Sequence, residues 1–312
     1  MLDYDAIAKR ALTPAEYAAS KAIIESFRAF CPDEETLVTK TKSEMMEWCA
    51  GGGLNYRSTQ RRLAWCGVVY DNVGLINPLS GIAYRELDFS ADLQKHYFKD
   101  EGEMLAVAFA TAQEMPSRRK DSQILIPTIA ALAWNGFSQE QMLKLTVGDE
   151  VNPDRKTIVF DRRTRRISQQ SFNEAVLKYY ELRKATSDNA SSLFTRQNGQ
   201  PWNRLNLSEI IHGANEFARK EFGKEFLMPK LAENGLFIRT YLYKQSHSCS
   251  TEVAIQGVLS LEAAQWRNVK LQGYEHWEKY YWGGDSAAGR SAPLRTAQEI
   301  VEDMRKRMKK LE

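Results

Sequence analysis

The sequence predicts a mainly α-helical protein of two domains with one small β-sheet. Three observations point there. A chain of 312 residues exceeds the usual size of one domain. Helix-start signals recur ahead of runs with apolar residues at helical spacing. One compact stretch, Lys156 to Ile167, breaks that spacing with β-branched residues and a tight turn.

Taken in order, Thr13-Pro14-Ala15-Glu16 sets an N-cap before a proline at the first helical position, with an acid at N3. The helix it opens should run to about Phe30, ahead of Pro32. Thr41-Lys42-Ser43-Glu44 is a capping box before Met45, Met46 and Trp48, and Gly51-Gly52-Gly53 breaks the helix. A third helix, Asn55 to about Tyr70, places Leu63, Cys66 and Val69 on one face. Loops follow at Asn72-Val73-Gly74 and Asn77–Gly81, so the domains are set at 1–92 and 93–312. The second domain should hold helices at Glu101–Met115, Ile124–Trp134 and Gln139–Leu145, then the strand Lys156–Phe160 and a second strand within Arg162–Ile167. Helix resumes from Ser171 to about Ala185 and beyond Leu205, and a tail helix covers 296–311. Asn198-Gly199 and Arg204 fall in a loop without an assigned role.

Composition narrows the function classes. A hydrophobic content of 43% with 27% charged residues is that of an ordinary globular protein. No apolar run is long enough to span a bilayer, and the acidic, core-less N-terminus does not read as a secretory signal, so a cytoplasmic location is expected. Cys31, Cys49, Cys66 and Cys249 form no CxxC pair, and His96, His212, His247 and His276 lack ligand spacing. No metal or other cofactor is therefore expected, and the thiols should be free and half-buried. Net charge is only +3, but six basic residues and one acid, Asp161, lie between Arg155 and Arg166. Clusters of that kind bind phosphate by releasing counterions, although a basic run is also an ordinary solvated face.

Four stretches then appear in a recognisable order. The first is Ala133-Trp134-Asn135-Gly136-Phe137-Ser138 with Gln139 to Leu145 and Asp149. The second is the basic hairpin after Asp149. The third is Gly235-Leu236-Phe237-Ile238-Arg239-Thr240-Tyr241, and the fourth runs from Gly273-Tyr274 through His276 and Trp277 to Tyr280, Tyr281 and Trp282. In this order they resemble the catalytic domain of tyrosine recombinases and phage integrases. The helical first ninety residues resemble the core-binding domain of that family, so the resemblance spans nearly the whole chain. It implies a two-domain clamp around double-stranded DNA. In the family a tyrosine attacks the phosphodiester while two arginines and further His, Lys or Trp donors stabilise the phosphorane.

The departures decide what the resemblance implies here. Ser138 stands where the family keeps its first arginine, and Leu236 stands where it keeps a histidine; Arg239 remains. Tyr280 and Tyr281 occupy the nucleophile's region, although tyrosines among Trp266, Trp277 and Trp282 also suit core packing. Removing one preorganised donor costs roughly 100- to 1,000-fold in rate, so strand cleavage is expected to be lost. The implied function is a sequence-specific regulator, closest in character to the recombinase-fold prophage repressors of the lytic cycle. The alternatives are a divergent active integrase, with Arg118 or Arg119 supplying the missing guanidinium, and an accessory architectural protein at recombination sites.

For DNA contact the first domain offers Asn55, Arg57, Ser58, Gln60, Arg61 and Arg62 at the start of its third helix. Arg reads guanine and Asn or Gln reads adenine in the major groove, while further basic residues hold phosphates. The second domain offers Arg162, Arg163, Arg165 and Arg166 on the hairpin, with Arg239, Lys244 and His247. The tail helix carries Ile300, Val301, Met304, Met308 and Leu311 near one face. Docking on a second copy to give a homodimer and packing on its own chain are both open.

Overall fold

The computed structural model describes residues 2–51, 54, 56–82, 89–115, 122–262, 271–283 and 297–309; at 56, 57, 122, 260–262, 271, 272, 307 and 308 it describes the backbone only. The fold class is the expected one, mainly helical with a single small sheet. The chain divides into two compact units, Met1–Asp92 and Leu93–Glu312.

The first unit is built from α1 (Tyr4–Ala11), α2 (Pro14–Phe30), α3 (Glu34–Thr39), α4 (Lys42–Ala50) and α5 (Tyr56–Val73). The expected N-cap at Thr13 forms and, with Glu16, completes a capping box that opens α2; the expected capping box of Thr41 with Glu44 opens α4. The helix α3 is an addition to the expected set, because six residues are too few to show a period. It is started by Asp33, whose carboxylate accepts from the Thr36 N–H at 2.8 Å. The core centres on Phe27, which meets Tyr4, Trp48 and Trp65 edge-on at 5.6, 4.9 and 6.5 Å between centroids. Two buried hydroxyls tie the loops to it: Tyr4 donates to the Cys31 carbonyl at 2.6 Å and Tyr70 to the Leu37 carbonyl at 3.0 Å.

The helix starts in this unit make its stability depend on pH. Hydrogen bonds from Thr13 and Thr36 lower the pKa values of Glu16 and Asp33, the bond from Arg28 lowers that of Asp5, and the Thr41 N–H brings Glu44 down to about 2. A folded-state pKa below the unfolded one contributes stability above the unfolded value, lost as pH falls through the folded value. The unit should therefore lose thermal stability between the ordinary carboxylate range and about pH 2. Circular-dichroism melts across that range should show a flatter profile for Glu44→Gln than for the wild type; parallel profiles would remove Glu44 from the account.

In the second unit α6 (Ser90–His96), which begins at the boundary, leads to a packed pair, α7 (Glu101–Glu114) and α8 (Ser122–Trp134), followed by the short α9 (Gln139–Lys144). The sheet has three antiparallel strands in the order β1 (Glu150–Asn152), β2 (Thr157–Phe160), β3 (Arg163–Arg166). Residue pairs Val159 with Glu150 and Ile158 with Arg165 fix its register. The strand β1 is the addition to the expected hairpin; three residues carry no visible alternation. A helix of mixed pitch follows, made of α10 (Gln169–Ser171), a π turn over Phe172–Val176 and α11 (Leu177–Lys184).

The remaining helices are α12 (Arg204–Phe222), α13 (Met228–His247), α14 (Thr251–Glu262), α15 (Leu271–Trp282) and α16 (Ala297–Met308). α13 lies against α8 and α14. Trp277 of α15 is fully buried among Phe237, Tyr274 and Tyr281, with ring centroids 5.8 to 6.0 Å away, and its indole N–H donates to the Phe98 carbonyl at 3.1 Å. The tail helix α16 packs on α7 and α12 of its own chain: Met304 is buried, and Arg305 bonds Glu114 and sits 5.4 Å from the Phe222 ring. Positions 296, 310 and 311 of the expected tail helix lie outside the described residues, as do 118, 119 and 266. No helix among the described residues is long and apolar enough to cross a membrane.

Candidate nucleic-acid interface

In the first unit the candidate residues cluster on the opening turns of α5. Arg61 is exposed, and Ser58 and Gln60 are half-buried. Asn55 and the side chain of Arg57 lie outside the described residues. Gln60 and Arg61 form the polar lip of an open groove of 580 Å³ whose other lining residues are Leu63, Ala64, Asn77, Leu79 and Ile82. Arg62 departs from expectation. Its guanidinium lies 4.6 Å from the Trp48 ring and donates to the Trp48 carbonyl, and burial lowers its pKa. It braces α5 against α4 rather than reaching outward, because Trp48 offers a flat face and an acceptor together.

In the second unit the sequence stretches Ala133–Leu145 and Gly235–Tyr241 meet. Trp134 ends α8, and the Arg239 guanidinium of α13 donates to its carbonyl at 3.3 Å. A cation at a helix C-terminus is favoured by the helix dipole. Close approach is possible because residue 235 is glycine: a Cβ there would stand 2.0 Å from the Trp134 carbonyl oxygen. Leu236, one residue on, is completely buried. Ser138 is the N-cap of α9, its hydroxyl accepting from the Gln141 N–H at 3.2 Å while the Gln141 side chain accepts from the Ser138 N–H at 3.0 Å. The positions read as substitutions for a catalytic arginine and histidine are thus a helix cap and a core leucine.

The tyrosines of α15 divide by burial. Tyr274 is fully buried and donates to Glu278 at 3.0 Å; burial, then the charge of Glu278, raises its pKa. The Tyr281 hydroxyl lies 2.8 Å from the Tyr97 carbonyl and 3.0 Å from that of Leu93, and accepts from the buried Lys224 ammonium at 3.2 Å. Tyr280 is 42% exposed. Lys244 is held by both oxygens of Glu278 at 2.9 and 3.0 Å, so its charge is shared within the unit. His247 is exposed and stacked on Tyr243 at 3.9 Å, with Nδ1 3.0 Å from the Tyr243 carbonyl oxygen and 2.8 Å from the Ser246 hydroxyl.

The basic hairpin is largely exposed. Asp161 and Arg162 take positive φ values of 47° and 57°, the pattern of a two-residue type I′ turn that matches strand twist. Arg162, Arg163 and Arg166 are exposed and Arg165 is half-buried opposite Ile158. The stretch without an assigned role is an exposed turn presenting Arg196, Gln197, Asn198 and Gln200, after which Arg204 opens α12. Arg196 Nε donates to the Asn206 side chain at 3.0 Å. The Asn203-Arg204-Leu205-Asn206 capping box is the sequence signal for that helix start. Lys144, then Arg204, lowers the pKa of Glu140, and Lys144 also feels Asp161, so α9, the hairpin turn and the start of α12 lie within electrostatic reach of one another.

No protein-family model matches the chain, and no curated protein matches it. Among solved structures it is similar to XerA recombinase, at 11% identity and a TM-score of 0.36, covering 84% of this chain and 97% of that one. It is also similar to two structures of the Tn1549 transposon integrase in complex with circular-intermediate DNA. Both are 13% identical; one covers 96% of this chain and 98% of that one at a TM-score of 0.42, the other 89% and 93% at 0.41.

Proposed function

We propose that the chain is a double-stranded-DNA-binding protein on the tyrosine-recombinase plan that does not cut its substrate and serves as a transcriptional regulator, a repressor of prophage lytic genes. One observation carries the reading. The two stretches that would supply the family's guanidinium and imidazole meet at Trp134 and Arg239, but there Ser138 caps a helix and Leu236 is sealed in the core. Neither supplies the guanidinium or the imidazole that the family uses on the phosphorane. Arg239 survives as a bond to a helix end. The groups that are exposed suit binding: Arg61 on one unit, and Arg162, Arg163 and Arg166 of the β2–β3 hairpin on the other.

A second reading, a divergent cleaving enzyme, is favoured by one observation, the exposed Tyr280 on α15. Sequencing of sheared host DNA retained by the purified chain separates the two. Short motifs recurring upstream of genes, with no covalent DNA adduct on a nicked duplex, are the expected result. A single locus with inverted arms, and an adduct abolished by Tyr280→Phe, would establish the enzyme instead. On the captured site, Arg61→Ala should weaken binding by about 1–3 kcal/mol, the worth of one bidentate base contact. Arg163→Ala with Arg165→Ala should make the plot of log affinity against log salt shallower, by about one unit for each phosphate no longer neutralised. Unchanged isotherms in both variants would remove these surfaces from the interface.

A further inference from the structure

The first unit holds a feature that DNA binding does not use. The thiols of Cys49 on α4 and Cys66 on α5 lie 3.7 Å apart, sulfur to sulfur, and both are completely buried. Cys49 directly follows Trp48, the residue gripped by Arg62, and Arg62 precedes Cys66 by one helical turn. The guanidinium lies within electrostatic reach of both sulfurs. The contact therefore joins the two helices beside the brace that sets their spacing. The segment between the two cysteines contains Ser58, Gln60 and Arg61.

We propose that Cys49 and Cys66 form a thiol-oxidation site, reached by a hydroperoxide when α4 and α5 part locally, at which a disulfide closes between the two helices and changes how α5 presents Gln60 and Arg61. A disulfide needs its sulfurs at about 2.05 Å, so the pair must close by well over 1 Å, and α4 and α5 must shift or turn against each other. That movement loads the clasp of Arg62 on Trp48. In the chemistry, the sulfur of one cysteine attacks one peroxide oxygen, the O–O bond breaks, and the departing oxygen takes that thiol's proton and leaves as water, giving a sulfenic acid. The sulfur of the other cysteine then attacks the sulfenic sulfur, and its proton leaves with the displaced hydroxide as a second water. Two thiols lose two electrons and hydrogen peroxide is reduced to two waters. Cys31, buried in the same unit with its own thiol pushed up to about 11 by burial, is the internal reference.

The effect on binding rests on the proposed function; the thiol chemistry does not. The test treats the full chain with hydrogen peroxide, blocks free thiols by alkylation and maps peptides without reduction. The fragment captured from host DNA is then used, fluorescently labelled, to read affinity. A Cys49–Cys66 cross-linked peptide reversed by dithiothreitol and absent from Cys49→Ala and Cys66→Ala is expected. Oxidised wild type should bind about tenfold more weakly, the worth of one bidentate base contact, while peroxide leaves the affinity of Cys49→Ala unchanged. Thiols that stay alkylatable, a link through Cys31, or a cross-linked chain of undiminished affinity would each overturn the proposal. If the reduced chain binds no DNA, the proposed function fails, and the peptide map alone decides whether the oxidation site exists.

Discussion

Replacing Trp277 with alanine should destabilise the second unit by about 4 kcal/mol, in the range of large aromatic deletions from well-packed cores. The side chain is fully buried and is the hub to which Phe237 of α13 and Tyr274 and Tyr281 of α15 all pack. Its loss opens a cavity between α13 and α15 and leaves the Phe98 carbonyl without the indole donor at 3.1 Å. Urea denaturation followed by far-ultraviolet circular dichroism should show the midpoint falling with little change in slope. Trp277→Phe should recover part of the loss, keeping the ring contacts and not the hydrogen bond. A change below about 1 kcal/mol for the alanine variant, the scale of ordinary surface substitutions, would mean that this cluster does not carry the unit's core.

Gly235→Ala should cost about 3 kcal/mol, at the upper end of overpacking penalties, although alanine is the better helix former. The new Cβ would stand 2.0 Å from the Trp134 carbonyl oxygen and 3.0 Å from Arg239 Nη1. A carbon and a carbonyl oxygen normally approach no closer than about 3.3 Å, so α13 must back away from the end of α8 by more than 1 Å. On the α8 side the Trp134 carbonyl oxygen and carbon, 2.0 and 3.0 Å away, are backbone atoms and cannot rotate aside. The bond from Arg239 to Trp134 should break with the shift. Gly213 in α12 provides the contrast: among the described residues a Cβ there meets only the Met115 sulfur, at 3.9 Å. Gly213→Ala should therefore stabilise by up to about 1 kcal/mol, the intrinsic preference of a helix for alanine. If both substitutions moved the urea midpoint the same way, the close crossing of α13 over α8 would be refuted.

Legibility of the chain tracks the range of the forces involved. Helix starts at Thr13 and Thr41 are readable because a capping box is complete within four residues. The hairpin is readable because Thr157 to Phe160 and the basic turn carry their own signal, whereas β1 is too short to alternate. Partners remote in sequence are not readable. Arg62 looks like a surface arginine until Trp48, fourteen residues away, is found beneath it. Lys244 looks available until Glu278, thirty-four residues on, is found holding it. Ser138 reads as a missing arginine, yet its local role as a cap with Gln141 is equally present in the sequence.

The π turn at Phe172–Val176 makes chain length in this helix a matter of angular phase. Each added residue turns the rest of the helix by about 100° around its axis, and a π turn is how a helix absorbs one residue too many. On its near side the Ser171 hydroxyl and N–H both bond Glu101, and on its far side Tyr179 and Tyr180 are buried. A descendant chain that lost one of these five residues would close to a regular helix with both tyrosines still facing the interior, whereas a loss just outside the turn would swing them by about 100°. Drift by deletion is therefore open within the turn and closed on either side of it, where only substitutions that keep the count can accumulate.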